Sequence, residues 1–324
     1  MYPALPLFSD RTKRRAILWP TRPLPPAQRV SLRQTLLRRL EIGKARRAPM
    51  IVVAHQKSGN TWLRTMISRY FQVKYGLPSD LIAKSDELHR RRPAIPPIFC
   101  TNGHYSYQSI IAEALDKDPG DPILRRKPVL FISRHPGDLA VSWYFQFTKR
   151  QSAAKQELIN HFIDHPINRH TVEMWDFVRH SDIGLPCLIE FLNTWHRNLQ
   201  ELEGGTTIRY EDLRAEPGTT LKQVVQLMGD DFSDAEIDEA VQFGSFDNLR
   251  QMESKGFFRQ GGMKLRNPDD PTTFKVRRGK VGGYRDYFTP EQAAELEQLV
   301  RERLNPVFGY APSATDAEPV SAHG

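Results

Sequence analysis

The amino-acid sequence predicts one α/β domain in which a central parallel β-sheet is flanked by helices on both faces. Four short apolar runs have the composition of strands buried on both sides. Amphipathic helical patterns alternate with these runs, as a parallel sheet requires. Basic and polar residues directly follow the strands, at the carboxyl edge where open α/β sheets bind ligands. These three observations predict both the fold class and the edge that carries the site.

The predicted strands and helices follow from local pattern. The strands are expected at residues 50–54, 97–101, 128–132 and 206–210. The helices are expected at residues 61–71, 138–149, 187–202, 233–243 and 289–304. Asp138 is read as the N-cap of its helix, while Ser233 with Glu236 and Thr289 with Gln292 form capping-box patterns. Residues 256–283 lack periodicity and are rich in glycine, proline and charge, so we expect a functional loop.

The positive charge of the 324-residue chain is concentrated in its N-terminal segment. Residues 1–49 contain twelve Lys or Arg and two acids, whereas the other 275 residues are nearly neutral although the whole chain carries +8. This distribution disfavours a nucleic-acid-binding protein, which would be basic over its binding domain. We therefore expect a basic, Pro/Arg-rich arm over 1–48, a core domain over 49–310 and a disordered tail over 311–324.

Within the arm, residues 1–27 are expected to be extended, and a helix is expected to follow, with a capping-box pattern at Ser31–Gln34. Leu32, Leu36, Leu37 and Leu40 fall on one face of that helix and arginines fall on the other. Packing against its own domain is the favoured interpretation. Peripheral contact with an anionic membrane is the alternative, because each basic residue near such a surface contributes about 1 kcal/mol. Recruitment of a polyanionic acceptor is a third hypothesis.

The two cysteines, Cys100 and Cys187, provide no disulfide framework, which favours a reducing compartment. No stretch approaches 18 apolar residues, and no signal-peptide core is present near the N-terminus. We therefore expect a cytoplasmic protein. Peripheral attachment to the inner membrane surface is the alternative.

The segment His55–Trp62 contains the most informative motif. It follows an apolar strand and leads into a helix, with Lys57, Ser58 and Gly59 in the turn. A helix N-terminus binds anions through its unpaired N–H groups and its dipole, and a lysine in the same turn adds a full charge. The turn is not a Walker A loop, because no glycine precedes Lys57.

A residue whose side chain could take part in binding or catalysis lies at or just after the end of each of the four strands. Lys57 follows the first, His104 the second, Arg134 the third, and Tyr210 ends the fourth. Because these positions share one edge of the sheet, we expect one crevice that binds an anion and transfers a proton.

Four motifs in this order resemble the cytosolic-type sulfotransferase family. Lys57–Trp62 resembles its 5′-phosphosulfate loop, and Arg134–Ser142 resembles its 3′-phosphate motif. Tyr210–Leu213 is similar to its adenine-side segment, and Arg277–Gly282 to its late glycine loop. The resemblance covers residues 49–305 and implies a P-loop-like sheet. It also implies 3′-phosphoadenosine-5′-phosphosulfate (PAPS) as co-substrate and a small-molecule, lipid or glycan acceptor with a hydroxyl or amine.

The resemblance also implies roles for individual residues. His104 would be the general base and Lys57 would stabilise the leaving phosphate. The remaining donor-binding residues would hold the 5′ end, stack on adenine or clamp the 3′-phosphate: Ser58, Gly59, Asn60, Thr61, Trp62, Arg134, Ser142, Tyr210, Phe246, Arg277, Arg278 and Gly279. No metal is expected, because the sulfuryl group carries less charge than a phosphoryl group and the sequence shows no acidic magnesium cluster.

Two other functions remain open at this point. One is a nucleotide-dependent kinase or NTPase of the P-loop class, against which the missing Walker A glycine argues. The other is a non-catalytic protein that binds polyanions or membranes through its basic arm. Trp62 and Phe246 also have a structural interpretation as core residues, and His161 and His165 are read as surface residues because Pro166 follows them.

Overall fold

A four-stranded parallel sheet lies at the centre of the computed structural model, which describes residues 10–79, 87–102, 125, 127–258 and 263–310. The strand order is β2-β1-β3-β4. Ile51 of the first strand lies opposite Val129, and Ile132 lies opposite Ile208. The strands are β1 (Met50–Ala54), β2 (Ile98–Thr101), β3 (Val129–Ser133) and β4 (Gly205–Arg209). Each strand end lies within one residue of its prediction, so the parallel sheet is confirmed.

Helices connect and cover these strands. In chain order the helices are α1 (Asp10–Leu18), α2 (Pro26–Arg47), α3 (Asn60–Tyr75), α4 (Glu87–Arg91), α5 (Pro136–Phe145), α6 (Ala153–His161), α7 (Met174–Arg179), α8 (Leu185–Gln200), α9 (Tyr210–Ala215), α10 (Pro217–Leu227), α11 (Asp234–Phe243), α12 (Phe246–Ser254) and α13 (Pro290–Arg303). A π-helical turn (Gln146–Arg150) continues α5, and short 3₁₀ helices occupy Pro271–Thr273, Gly283–Tyr287 and Pro306–Phe308.

The two faces of the sheet bury separate apolar layers, because successive side chains of a strand point to opposite sides. Ile51 and Phe131 join a layer completed by α8, where Trp195 stacks on Phe131 at 6.0 Å between ring centroids. Val52 and Leu130 join the opposite layer, which is completed by α3, α10 and α11. Helices therefore cover both faces, as predicted.

Helix capping follows the sequence in two helices and departs from it in two. The predicted capping boxes at Ser233 and Thr289 are present, at the starts of α11 and α13, whereas the one predicted at Ser31 is wrong because α2 begins at Pro26. The prediction that Asp138 caps α5 is wrong: the His135 side chain accepts the N–H of Gly137 instead. The Asp138 carboxylate accepts the N–H groups of Gly282 and Tyr284 at 2.7 and 2.9 Å. Asp138 thus ties the start of α5 to the late glycine loop.

The N-terminal segment differs from its prediction in two respects. Residues 10–18 form α1, where extended chain was expected. The leucine face predicted for α2 is also wrong, because Leu32 is 41% exposed. The buried face is instead Val30, Arg33, Leu37, Glu41 and Ala45.

Charged residues on the buried face of α2 are accommodated by ion pairs. Arg33 pairs with Glu157 of α6 at 3.1 Å, and Arg29 donates to the same carboxylate at 2.9 Å. Leu37 and Val30 of α2 pack with Leu158 of α6. Helix α2 therefore packs on its own domain, the first of the interpretations given above. None of the described helices is both long and apolar enough to cross a lipid bilayer.

Candidate active site

The turn between β1 and α3 has an unusual backbone. Lys57 has a φ of +82° and Gly59, at the N-cap of α3, has a φ of +99°. A Cβ atom on residue 59 would lie 2.7 Å from the Tyr210 ring, so only glycine fits there. This turn brings the backbone and Lys57 to the N-terminus of α3, whose first N–H groups have no partner within the helix.

Arg134 joins the same place from the end of β3. Its Nη1 donates a hydrogen bond of 2.9 Å to the Lys57 carbonyl. Its guanidinium lies 4.3 Å above the centroid of the Tyr210 ring. The residues that follow strands β1, β3 and β4 therefore meet, as the sequence predicts. His104, the residue predicted after β2, lies outside the described residues, but the nearby Asn102 lines the shared cavity.

Aromatic side chains form one wall beside this turn. Trp62 donates its indole N–H to the Gly244 carbonyl at 2.6 Å and meets Tyr210 edge-on at 6.0 Å. Gly279 has a φ of +61°, and a Cβ there would lie 2.8 Å from the Phe246 ring. The late glycine loop thus approaches Phe246 as closely as the first turn approaches Tyr210.

The late loop also contributes cations. The Arg277 guanidinium lies 4.1 Å from the centroid of the Phe145 ring and donates to the Tyr287 hydroxyl. Arg278 forms an ion pair with Asp286 and is 40% exposed. Ser142 of α5 faces the same space.

These elements enclose a cavity of about 290 Å³. Twelve of the fourteen predicted site residues line it; Ser58 is buried just behind the lining, and His104 is not described. Among the described residues, the lining contains one carboxylate, Asp138, and ten basic side chains: Lys57, Arg64, Arg134, Arg150, Arg214, Arg266, Lys275, Arg277, Arg278 and Lys280. A lining with this excess of positive charge is suited to a polyanion.

Six of these cations were not among the predicted site residues: Arg64, Arg150, Arg214, Arg266, Lys275 and Lys280. Arg150 ends the π-helical turn and pairs with the fully buried Glu253 at 3.5 Å. Glu253 also accepts the N–H groups of Lys275 and Val276 at 2.7 and 2.8 Å. Arg150 thus depends on a residue about 100 positions later and Lys275 on a residue 22 positions earlier, and no local pattern reveals either contact.

Burial and crowding of like charges shift the pKa values of both lysines. Burial, followed by the charges of Lys275, Arg150, Arg134 and Arg277, lowers the pKa of Lys57 well below its usual range. Burial and Arg150 lower the pKa of Lys275 to about 7, although Glu253 opposes this shift. An anion in the cavity would favour the charged form of each amine and reverse these shifts.

Two buried polar atoms also fit a bound anion. Within the described part of the chain, Ser58 Oγ and Arg134 Nε have no hydrogen-bond partner. Buried polar groups are normally satisfied, so donors in this state beside a cation cluster indicate a ligand site. The described residues contain no group of three or more His, Cys, Asp or Glu that could hold a metal ion.

Comparison with known proteins agrees with this geometry. A family model described as a sulfotransferase domain matches residues 47–307. Cytosolic sulfotransferase 10 of Arabidopsis thaliana is 23% identical over 277 residues, which is 79% of this chain and 78% of that protein. Cytosolic sulfotransferase 5 of the same plant is 29% identical over 181 residues, so the alignment spans 54% of this chain and about half of that relative.

A solved structure shares the fold. The crystal structure of mouse sulfotransferase SULT7A1 complexed with PAP aligns with a TM-score of 0.51 and 17% identity, covering 81% of this chain and 85% of that one. The predicted single α/β domain with a P-loop-like sheet is thus confirmed. Because the family model covers most of the sequence, this chain belongs to the sulfotransferase family.

Proposed function

We propose that this protein transfers a sulfuryl group from PAPS to a hydroxyl or amine of a small-molecule, lipid or glycan acceptor. The observation that supports this most directly is the meeting of Lys57 and Arg134, through a 2.9 Å hydrogen bond, in one cavity lined by cations and aromatic rings. The name of the mouse structure includes PAP, the product of such a donor, and two plant relatives are named cytosolic sulfotransferases. We propose a cytosolic location on the same basis.

The donor would lie along the cavity from the first turn to the late loop. The turn from Lys57 to Trp62 would hold the 5′ end, because it combines a helix N-terminus with a lysine. Arg134, Ser142 and Arg277 would bind the 3′-phosphate, since two arginines and a hydroxyl suit a dianion. The rings of Trp62 and Phe246 would flank the adenine.

Lys57 would stabilise the charge that develops on the leaving phosphate. Sulfuryl transfer is proposed as an in-line displacement in which negative charge accumulates on the oxygen that bridges sulfur and phosphorus. A cation already held in place by the protein stabilises that charge without reorganisation at the moment of reaction. Burial costs this lysine part of its proton affinity, and the phosphates of the donor would restore it.

His104 would remove the acceptor proton. Its proposed role follows from the family resemblance and from Asn102, two residues earlier, which lines the cavity. A positioned general base contributes about 10²–10⁴-fold to the rate. We expect His104→Ala to lower turnover by that order while donor affinity stays near the wild-type value. Full activity of this variant in an assay with radiolabelled donor would remove His104 from the mechanism.

The donor class is tested by thermal shift with 3′,5′-adenosine bisphosphate and with ATP, both without metal. At a concentration one hundred times the Kd, a ligand stabilises the native state by about 2.7 kcal/mol. This corresponds to a rise of roughly 5 °C for a domain of about 260 residues, since the entropy of unfolding is about 2.1 cal/mol/K per residue. We expect that rise for the bisphosphate in the wild type, a smaller rise for ATP, and little rise in Arg134→Ala. Magnesium-dependent ATP turnover, without selectivity for the bisphosphate, would instead support a kinase or NTPase.

A further inference from the structure

The residues on either side of Arg134 in the sequence belong to one chain of hydrogen bonds. Ser133 Oγ lies 3.1 Å from the Tyr310 hydroxyl oxygen, within hydrogen-bond distance. The Tyr310 hydroxyl donates to Glu211 Oε2 at 2.8 Å. The other oxygen of that carboxylate accepts the backbone N–H of His135 at 3.0 Å. The hydrogen bonds therefore lead from the residue before Arg134, through Tyr310 and Glu211, to the residue after it.

The Tyr310 hydroxyl at the centre of this chain is buried and keeps its proton. Burial, followed by the negative charge of Glu211, raises the pKa of Tyr310 above its usual value. The hydroxyl is therefore a donor to the carboxylate, and a hydrogen bond to a charged group is stronger than one between neutral groups. This bond holds the Glu211 carboxylate in the orientation that also accepts the His135 N–H.

The ring of Tyr310 lies across the carboxyl ends of β3 and β4. It meets the His135 ring edge-on at 5.5 Å, and the opposite contact of that imidazole is a stack on Tyr284 at 5.1 Å. The Arg209 guanidinium, at the end of β4, lies 4.8 Å from the centroid of the Tyr310 ring. Ser133 and Arg209 are paired in the sheet, so Tyr310 contacts both members of the last pair of these two strands.

These contacts converge on the arginine that would bind the 3′-phosphate. The Arg134 guanidinium lies 4.3 Å from the centroid of the Tyr210 ring, and Tyr210 directly precedes Glu211. Both the backbone of Arg134 and the ring beside its guanidinium are therefore next in sequence to members of the hydrogen-bond chain. A guanidinium that binds phosphate through two parallel hydrogen bonds needs a fixed orientation, so its supporting contacts matter for affinity.

We propose that Tyr310 is a positioning residue of the donor site, which acts through Glu211 and Ser133 to hold Arg134 in the orientation that binds the 3′-phosphate. This inference rests on the proposed function and adds a residue to it. Tyr310 follows α13 and lies beyond residues 47–307, which the sulfotransferase domain model matches. Tyr310 does not line the cavity, so its effect on the donor would pass through Arg134.

The test compares two nucleotides that differ only in the 3′-phosphate, 3′,5′-adenosine bisphosphate and adenosine 5′-phosphate. Calorimetry gives the Kd of each, and the preference for the bisphosphate measures what the 3′-phosphate contributes. Tyr310→Phe removes one hydroxyl and keeps the ring, which also stacks on Phe308. We expect this preference to fall about threefold to tenfold, the effect of losing one hydrogen bond, while the Kd of adenosine 5′-phosphate stays unchanged.

Tyr70→Phe is the matched control. Tyr70 is also buried, its hydroxyl donates to Asp230 at 2.8 Å, and it does not line the cavity. Each variant loses one hydrogen bond from a tyrosine to a carboxylate, so each should lower the melting temperature. We expect only Tyr310→Phe to change the preference for the bisphosphate. A hydroxyl with a purely structural role would lower the melting temperature and leave that preference unchanged.

Two further variants test the route through which Tyr310 acts. Ser133→Ala is a smaller change that keeps the Tyr310 ring, and it should also lower the preference for the bisphosphate. Glu211→Ala removes a negative charge as well as two hydrogen bonds, so the informative measurement is the effect of Tyr310→Phe in that background. If Tyr310 acts through Glu211, that effect should be much smaller than in the wild type, as expected for two coupled residues.

Each contrary outcome has a separate meaning. A preference that stays at the wild-type value in both Tyr310→Phe and Ser133→Ala would overturn the proposal. An equal loss of affinity for the two nucleotides in Tyr310→Phe would also overturn it, because the hydroxyl would then act on more than the 3′-phosphate. If the wild-type protein binds both nucleotides equally, the proposed function itself fails, and this result is visible before any variant is made.

Discussion

Gly59 offers the sharpest test of the site geometry, because a single methyl group should disturb it. Gly59→Ala introduces a Cβ that would lie 2.7 Å from the Tyr210 ring, at a φ of +99°. Gly76→Ala is the matched control: its φ is +62°, it ends the same helix, and no atom lies within 4 Å of its Cβ position. Both variants incur the cost of a left-handed residue with a side chain, and only Gly59→Ala creates a clash.

The two contributions can be estimated separately. A left-handed conformation costs an L-residue about 1–2 kcal/mol, which we expect for Gly76→Ala. Forcing a methyl group into a well-packed site costs about 1–3 kcal/mol more, which we expect only for Gly59→Ala. The melting temperature of Gly59→Ala should therefore lie about 2–5 °C below that of Gly76→Ala.

The clash should also reach the donor site. Tyr210 supports the Arg134 guanidinium at 4.3 Å, so moving its ring should displace that guanidinium. We expect Gly59→Ala to weaken binding of 3′,5′-adenosine bisphosphate in calorimetry and Gly76→Ala to leave it unchanged. In Gly59→Ala/Tyr210→Ala the loss of stability should be smaller than the sum of the two single losses. Equal melting temperatures and affinities for Gly59→Ala and Gly76→Ala would refute the close approach and its proposed role.

Two further predictions concern the charged groups of the cavity. The pKa of Lys57 is lower in the native protein than in the unfolded chain. At pH values between these two pKa values, the Lys57 amine is therefore less protonated in the native protein than in the unfolded chain. Native stability without ligand should rise with pH in that window, and bisphosphate binding in the same window should take up protons. Calorimetry in two buffers of different ionisation enthalpy measures this uptake, which should shrink in Lys57→Met; its absence from the wild type would contradict the pKa argument. Glu253→Ala should destabilise by about 3–5 kcal/mol, because it removes the carboxylate that offsets the buried Arg150 charge and accepts the Lys275 N–H. Exposed Glu201→Ala is its control, and similar melting temperatures for the two variants would show that the buried pair stabilises little.

The strands and the helix starts could be predicted because their causes are local. Continuous apolar runs identify buried parallel strands, and the capping boxes at Ser233 and Thr289 need only residues three apart. The meeting of Lys57, Arg134 and Tyr210 could also be predicted, since parallel strands deliver their ends to one edge.

The failures arise where a distant residue changes the environment of a local pattern. The buried face of α2 contains Arg33 because Glu157, more than 100 residues later, satisfies its charge. Asp138 stands where an N-cap is expected, but its carboxylate accepts backbone N–H groups at Gly282 and Tyr284. The residues around Asp138 do not indicate that this distant loop lies beside it. Arg150 and Lys275 were missed for the same reason, since each reaches the cavity through Glu253.

The same long-range pairing changes what the basic N-terminal segment offers to other molecules. Arg14 pairs with Glu41, and Arg29 and Arg33 share Glu157, so the effective charge of the segment is lower than its composition indicates. Arg15, Arg22, Arg39 and Arg46 remain exposed. Attraction to an anionic surface would therefore depend on these exposed arginines, and salt would screen it strongly.

The π-helical turn at Gln146–Arg150 determines the direction in which Arg150 points from the helix axis. Such a turn accommodates one residue more than an α-helical turn, and these insertions are frequent at functional sites. If the same five residues were α-helical instead, Arg150 would point in another direction around the helix axis, because an α-helix turns by about 100° per residue and the wider π turn by less. Arg150 would then leave Glu253, and the loop that Glu253 holds would lose that contact. A change of helix type at this turn is thus a change in the walls of the cavity.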